Sequence, residues 1–300
     1  MKKTMIFPHI LLLLLLFCVV VLPGSRTNAR QPQAFLTAIG CMELMFLWNM
    51  RKGKEKTGAG DLMSLIWILL LVWELSTRVW NIAHPVLVPC PENVFDTFRE
   101  QWQVMLKNVG YSMALLGMGF SLGMVLAVAL GLAAGWSSRL RAVVEPIANV
   151  LSPIPPVVIS PYLVALMPTF RSASVTVVML GVFFPTCLAT IQRVCAMDRQ
   201  TLDLAKTLEP GILTMIGQIL LPYILPGVIA GLKVSLTTGM LMLNFAELMG
   251  ATHGMGYYVQ NAITYANYTH AVAGILVIGM VVTVLNRFVA WVQRTVFLPE

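Results

Sequence analysis

Charge is what this chain has least of. Only 11% of its 300 residues are charged, against 58% hydrophobic, and the mean hydropathy is +0.80. A soluble domain carries about 25% charged residues, so the shortage excludes one and makes the chain an integral membrane protein. The weak ten-residue alternation of a transmembrane barrel is missing. In its place stand apolar runs of about twenty residues, the length of a helix across the hydrocarbon core. The five cysteines (Cys18, Cys41, Cys90, Cys187, Cys195) are scattered, with neither metal spacing nor a disulfide framework. The four histidines are too dispersed to form a ligand cluster. No glycine-rich loop ends in Lys-Ser or Lys-Thr, so no P-loop nucleotide site is encoded. The net charge of +7 does not indicate nucleic acid, because the basic residues lie at the ends of apolar runs.

The runs predict about eight transmembrane helices: residues 5–23, 33–50, 61–81, 107–135, 144–167, 174–193, 223–248 and 270–292. The basic group Arg51-Lys52-Gly-Lys54-Glu-Lys56 belongs in the cytoplasm. Alternation from there also places Lys2, Lys3, Arg139, Arg141, Arg193, Arg199, Lys206, Arg287 and Arg294 inside. The loop from about 249 to 269, assigned outside, has no Lys or Arg. The N-terminal run, ending in Pro23-Gly24 and Thr27-Asn28-Ala29, reads either as a signal peptide or as a retained first helix. Between the third and fourth runs, residues 86–102 form a polar external stretch. Phe95, Phe98 and Trp102 fall there at helical spacing, giving either a short interfacial helix or an ordinary loop.

Two positions in the apolar runs depart from simple spans. Gly119 and Gly123, and again Gly131 and Gly135, cut small-residue notches into the fourth run, where a neighbouring backbone can approach. The fifth run carries Pro146, Pro153, Pro155, Pro156, Pro161 and Pro168. Proline removes backbone donors, and irregular backbone persists at membrane depth only inside protein or beside a wet cavity. This run is therefore either a kinked structural helix or the border of a translocation path, with Asn149 and Ser152 as polar groups.

The segment "LDLAKTLEPGILTMIGQILLP", residues 202–222, interrupts the oil. Leu204, Leu208, Ile212, Met215 and Ile219 make an apolar stripe at helical spacing. Asp203 lies in an early turn, where it suits the helix dipole. Glu209-Pro210-Gly211 breaks the stretch into two short helices. A cytoplasmic helix–turn–helix with one apolar edge must pack on its own bundle, lie on the membrane, or receive a partner.

These residues resemble the EAA loop of ABC-importer permeases. Asp203 stands at the acidic position, Leu204 and Ala205 at the small pair, and Ile219-x-Leu221-Pro222 at the end, with matching spacing. Leu204 replaces a small residue, and Glu209 takes the usual glycine position with Gly211 two places late. "LVPCPENVFDTF", "GLAAGWSSRLRAVVEPIANVLSPIPPVVISPYLVAL" and "NFAELMGATHGMGYYVQNA" are similar to successive segments of the nitrate/sulfonate/taurine subgroup, so the resemblance spans roughly residues 85–297.

The resemblance implies an all-α integral membrane fold, a type I ABC-importer permease core of six helices preceded by an extra N-terminal pair. The division expected is 1–56 for that pair and its basic loop, and 57–300 for the permease domain with a coupling segment at 198–222. It implies a permease that pairs with a second copy as a homodimer, with an ATP-binding cassette ATPase beneath each copy and an extracytoplasmic substrate-binding protein above. ATP and Mg are then used by the ATPase, and this chain binds no cofactor and no metal. The ATPase-coupling residues would be Asp203, Leu204, Ala205, Lys206, Thr207, Leu208, Glu209, Pro210, Gly211 and Ile212. Asn149, Ser152, Asn244 and Glu247 are the candidates for the translocation path; Glu247 reads equally as a brace for the Gly250–Gly256 turn. The expected cargo is a small anion such as nitrate, a sulfonate or taurine, with a vitamin precursor as the alternative. An ion-coupled secondary transporter is the competing class, but it calls for internal symmetry and gives residues 202–222 no task.

Overall fold

The computed structural model describes residues 2–22, 26, 32–52, 56–198, 211 and 214–297. Among them every regular element is helical. The chain divides into two compact units, Met1–Leu106 with Val259–Val277, and Lys107–Tyr258 with Ile278–Glu300.

The first unit begins with α1 (Lys2–Val20), α2 (Gln33–Lys52) and α3 (Lys56–Glu74). Leu11, Leu15 and Val19, each one turn apart on α1, are buried with Phe35, Ile39, Phe46 and Met50 of α2 and with Met63 and Trp67 of α3. His9 lies 2.9 Å from Glu43 across α1 and α2. At its end α3 loosens into a π-helical turn, Leu75–Val79, which carries Arg78. That guanidinium donates to the Val19 carbonyl at 2.8 Å, to Glu92 at 2.8 Å and to Glu74 at 3.3 Å. Both carboxylates are buried, and each would be costly there without the arginine.

A long helix, α4 (Pro91–Trp136), follows. Of the two readings of residues 86–102, the helical one holds from Pro91 onward, but the helix is not a separate short element. Pro91 occupies the first position, where its missing N–H costs nothing, and no further proline interrupts the residues that follow. Phe95 is half-buried and packs on Phe35, centroids 5.1 Å apart.

In the second unit α4 meets α7 (Phe170–Cys195). A Cβ added to Gly131 would stand 2.6 Å from the Thr190 Cβ, and one on Gly135 2.5 Å from that of Val194. Gly119 and Gly123 likewise face Val178 and the Met179 backbone, with fully buried Ala127 between the two pairs. The notches seat one helix against its neighbour. Between α4 and α7 lie α5 (Ser138–Leu151), capped by Ser137, a 3₁₀ turn at Pro156–Val158 and α6 (Ser160–Leu166). The expected span at 144–167 is therefore broken rather than continuous, because Pro153, Pro155 and Pro156 withdraw successive backbone donors. A π-helical stretch, Met215–Leu220, leads into α8 (Leu221–Leu248), followed by α9 (Met255–Thr264) and α10 (Tyr268–Phe297).

Among the described residues five helices are long and apolar enough to cross a membrane: Gly58–Val79, Pro91–Trp136, Phe170–Cys195, Met215–Leu248 and Tyr268–Thr295. Two more, Phe7–Val20 and Gln33–Trp48, are apolar but shorter.

Candidate functional site

The candidate coupling residues Asp203, Leu204, Ala205, Lys206, Thr207, Leu208, Glu209, Pro210 and Ile212 lie outside the described residues; Gly211 is described and exposed. Val194 near the end of α7 and Met197 just beyond it are buried with Leu132 of α4, Met215 and Leu220 of the π-helical stretch, and Ile224 and Val228 of α8. Met215 and Ile219, the last residues of the apolar stripe, thus pack on the protein's own bundle. Pro222 and Pro226 both lie within α8. Each removes an N–H donor, and the chain just ahead of them takes the wider π spacing, Leu221 N–H reaching the Ile216 carbonyl.

At the other end of α8, Glu247 is 1% exposed. Its carboxylate accepts from the Ser112 hydroxyl at 2.7 Å and from the Gly256 N–H at 2.8 Å. Ser112 in turn accepts from Met255 N–H at 2.9 Å, while Asn108, one turn earlier on α4, accepts from Gly254 N–H at 2.8 Å. Three successive amides at the start of α9 are thereby held by α4 and α8, as the open donors of a helix start require. Gly254 sits at φ +115° directly over the Glu247 carboxyl group, with no room for a Cβ. Asn108 and Ser112 escaped the sequence reading. Their signal is a polar pair four residues apart on one face of an apolar helix.

The remaining path candidates are not brought together. Ser152 lines a small cavity of about 150 Å³ with Pro153, Pro155 and Pro156, closed by Gly181 and Pro185 of α7 and by Thr238 and Met242 of α8. Asn149 is exposed and does not line it. Asn244 lies on another face of α8, its buried Oδ1 without a hydrogen-bond partner. Pro185 cannot donate to the Gly181 carbonyl one turn back, and both residues line the cavity beside Ser152 and Thr238. No charged side chain lines it.

Residues 119–297 match the family described as the binding-protein-dependent transport system inner membrane component. The chain belongs to this family. It is a multi-pass membrane permease of the ABC-transporter type, and its relatives are transport subunits rather than enzymes. It is 25% identical to SsuC of Bacillus subtilis, named for aliphatic sulfonates transport, over 81% of this chain and 89% of that one. It is 24% identical to the taurine transport permease TauC of Escherichia coli, over 76% and 85%. It is 24% identical to the bicarbonate transport permease CmpB of Synechococcus elongatus, over 82% and 92%.

Within the permease, the matched range holds the glycine notches of α4, the proline break, the α7–α8 core and the Glu247 turn. It begins after α1, α2 and α3, and so leaves the packed N-terminal helices outside.

Proposed function

We propose that the permease is the membrane subunit of an ATP-driven importer for a small anion of the sulfonate, taurine or bicarbonate kind. The observation that carries this reading is similarity to permeases for those three solutes over 76–82% of the chain. On this reading the bundle has eight spans, six forming the transport core and two added at the N-terminus. Two copies pair, each receiving an ATPase below and sharing an extracytoplasmic binding protein above; ATP and Mg act on the ATPase.

Residues 203–212 enter the ATPase, with Leu208 and Ile212 as the apolar contact. Both ends of that segment emerge from the core built on Leu132, Val194, Met215 and Ile224. A push on it is therefore delivered to α4, α7 and α8 together, as a rigid-body change between two states requires. The uncharged cavity at Ser152 and Thr238 lets an anion pass without a deep electrostatic trap. Specificity then rests with the binding protein.

The test is ATP-dependent uptake of labelled taurine, methanesulfonate and bicarbonate by proteoliposomes holding the permease with its ATPase and binding protein. Uptake of at least one solute is expected. Leu208→Asp and Glu209→Arg should abolish it and loosen the ATPase, while the permease itself still inserts. Uptake and assembly unchanged in both variants would remove the coupling assignment. Similarity to the formylaminopyrimidine transport permease ThiX of Halalkalibacterium halodurans, 24% identical over 71% of this chain, supports a pyrimidine as the second solute class for the same assay.

A further inference from the structure

A second cavity, of about 340 Å³, lies in the first unit on the side that the charge distribution assigns to the exterior. Arg26, Asn81, Cys90, Asn93 and the first residues of α10, Tyr268 and Thr269, are among its lining. Arg26 is fixed there by four bonds: Nε to Asn81 Oδ1 at 2.7 Å, Nη2 to the Ala83 carbonyl at 2.5 Å, and Nη1 to the Val88 carbonyl at 2.8 Å and to Cys90 Sγ at 3.8 Å. Every one of these acceptors is neutral. Among the described residues no carboxylate pairs with Arg26, and the nearby Glu92 pairs with Arg78 through Oε1. The guanidinium is thus oriented and partly buried with no carboxylate in contact, a situation that favours capture of an anion.

The rest of the lining agrees in sign. The start of α10 adds the positive end of a long helix. Burial pushes the Cys90 thiol up, Glu92 adds to the effect and Arg26 opposes it, so no thiolate competes for the site. Asn81 (φ 49°) and Ala266 (φ 54°) are the only non-glycine residues at positive φ among the described residues. Both line this cavity, and such strain persists where surrounding structure enforces it.

We propose that this cavity is an extracytoplasmic oxyanion site, with the fixed Arg26 guanidinium and the α10 N-terminus as its positive wall. A sulfonate, sulfate or bicarbonate has the required chemistry, as does a lipid phosphate. The site rests on the import reading only for the source of its ligand, since binding can be measured without transport.

Thr269→Asp is the informative variant. An acidic residue in the first turn suits the helix dipole, so α10 should form, while a negative charge enters the cavity and the Arg26 bonds remain. The full-length permease in phosphatidylcholine nanodiscs would be titrated with methanesulfonate and with sulfate, against sodium chloride at matched ionic strength. Thermal stabilisation by the oxyanions is expected, with an apparent Kd about tenfold or more weaker in Thr269→Asp. Stabilisation that appears only in phosphatidylglycerol nanodiscs, and is lost in the same variant, assigns the site to a lipid headgroup and still supports it. No response to either source, or equal responses in wild type and Thr269→Asp, overturns the site. Failure of uptake with binding intact would count against the import reading alone.

Discussion

Glu247 shows how a membrane carboxylate can be structural. Its two oxygens take the Ser112 hydroxyl and the Gly256 amide, and Ser112 passes the constraint on to Met255. Glu247→Ala would leave two buried donors without acceptors, a loss of about 2–4 kcal/mol, visible as a lower denaturation midpoint in detergent. Gly254→Ala should fall further than Gly250→Ala. Both glycines are at positive φ, but only Gly254 has the Glu247 carboxyl against it, whereas Gly250 faces open space. Equal effects would mean that backbone strain alone, and not the carboxylate, governs the turn. The sequence allowed the bracing reading of Glu247 because Gly250, Gly254 and Gly256 follow it closely. It could not supply Asn108 and Ser112, since their partners lie more than a hundred residues away and only the fold brings them together.

At the scale of elements, the fourth helix was legible in its packing face and illegible in its length. The four-residue spacing of glycines announced a close neighbour, and α7 fills that place with Val178, Thr190 and Val194. A short helix over this stretch was one of two readings, but its continuity with the fourth run was hidden, because the polarity of residues 91–102 mimics a loop while nothing in them stops a helix. The proline-rich run gave the reverse case: its irregularity was legible, but whether it would kink or break depended on support from α7. A pair of substitutions tests the glycine face. Gly131→Ile would drive its side chain into Thr190 and should prevent stable folding or separate α4 from α7. Gly117→Ile meets nothing within 4 Å and should be accommodated with little change. Thr190→Gly, by clearing the Cβ opposite, should partly restore a Gly131→Ala variant, measured by size-exclusion recovery from membranes.

For the whole molecule, the decisive question is whether α1 belongs to the working protein or is a leader that is removed. Sequence alone left both open, because the same apolar run with a following Thr-Asn-Ala serves either purpose. The packing argues for retention. Leu11, Leu15 and Val19 are buried against a core shared with Trp67 and Phe35, and the carbonyl of Val19 accepts from Arg78, the arginine that also holds Glu74 and Glu92. Beyond α1, Arg26 fastens the 81–90 connection through four acceptors. Cleavage after Ala29 would take all of this away, uncovering the apolar faces of α2 and α3 and removing one of the acceptors of Arg78. Peptide mapping of the permease purified from membranes is therefore expected to recover residues 1–29, covalently joined to α2. A version starting at residue 30 should accumulate poorly. Arg78→Met, which leaves two buried carboxylates unpaired, should destabilise the retained unit by about 3–5 kcal/mol, whereas Arg99→Met, at an exposed position, should not. Recovery of a mature chain beginning near residue 30, folded and active in uptake, would show instead that α2 and α3 close their core without α1.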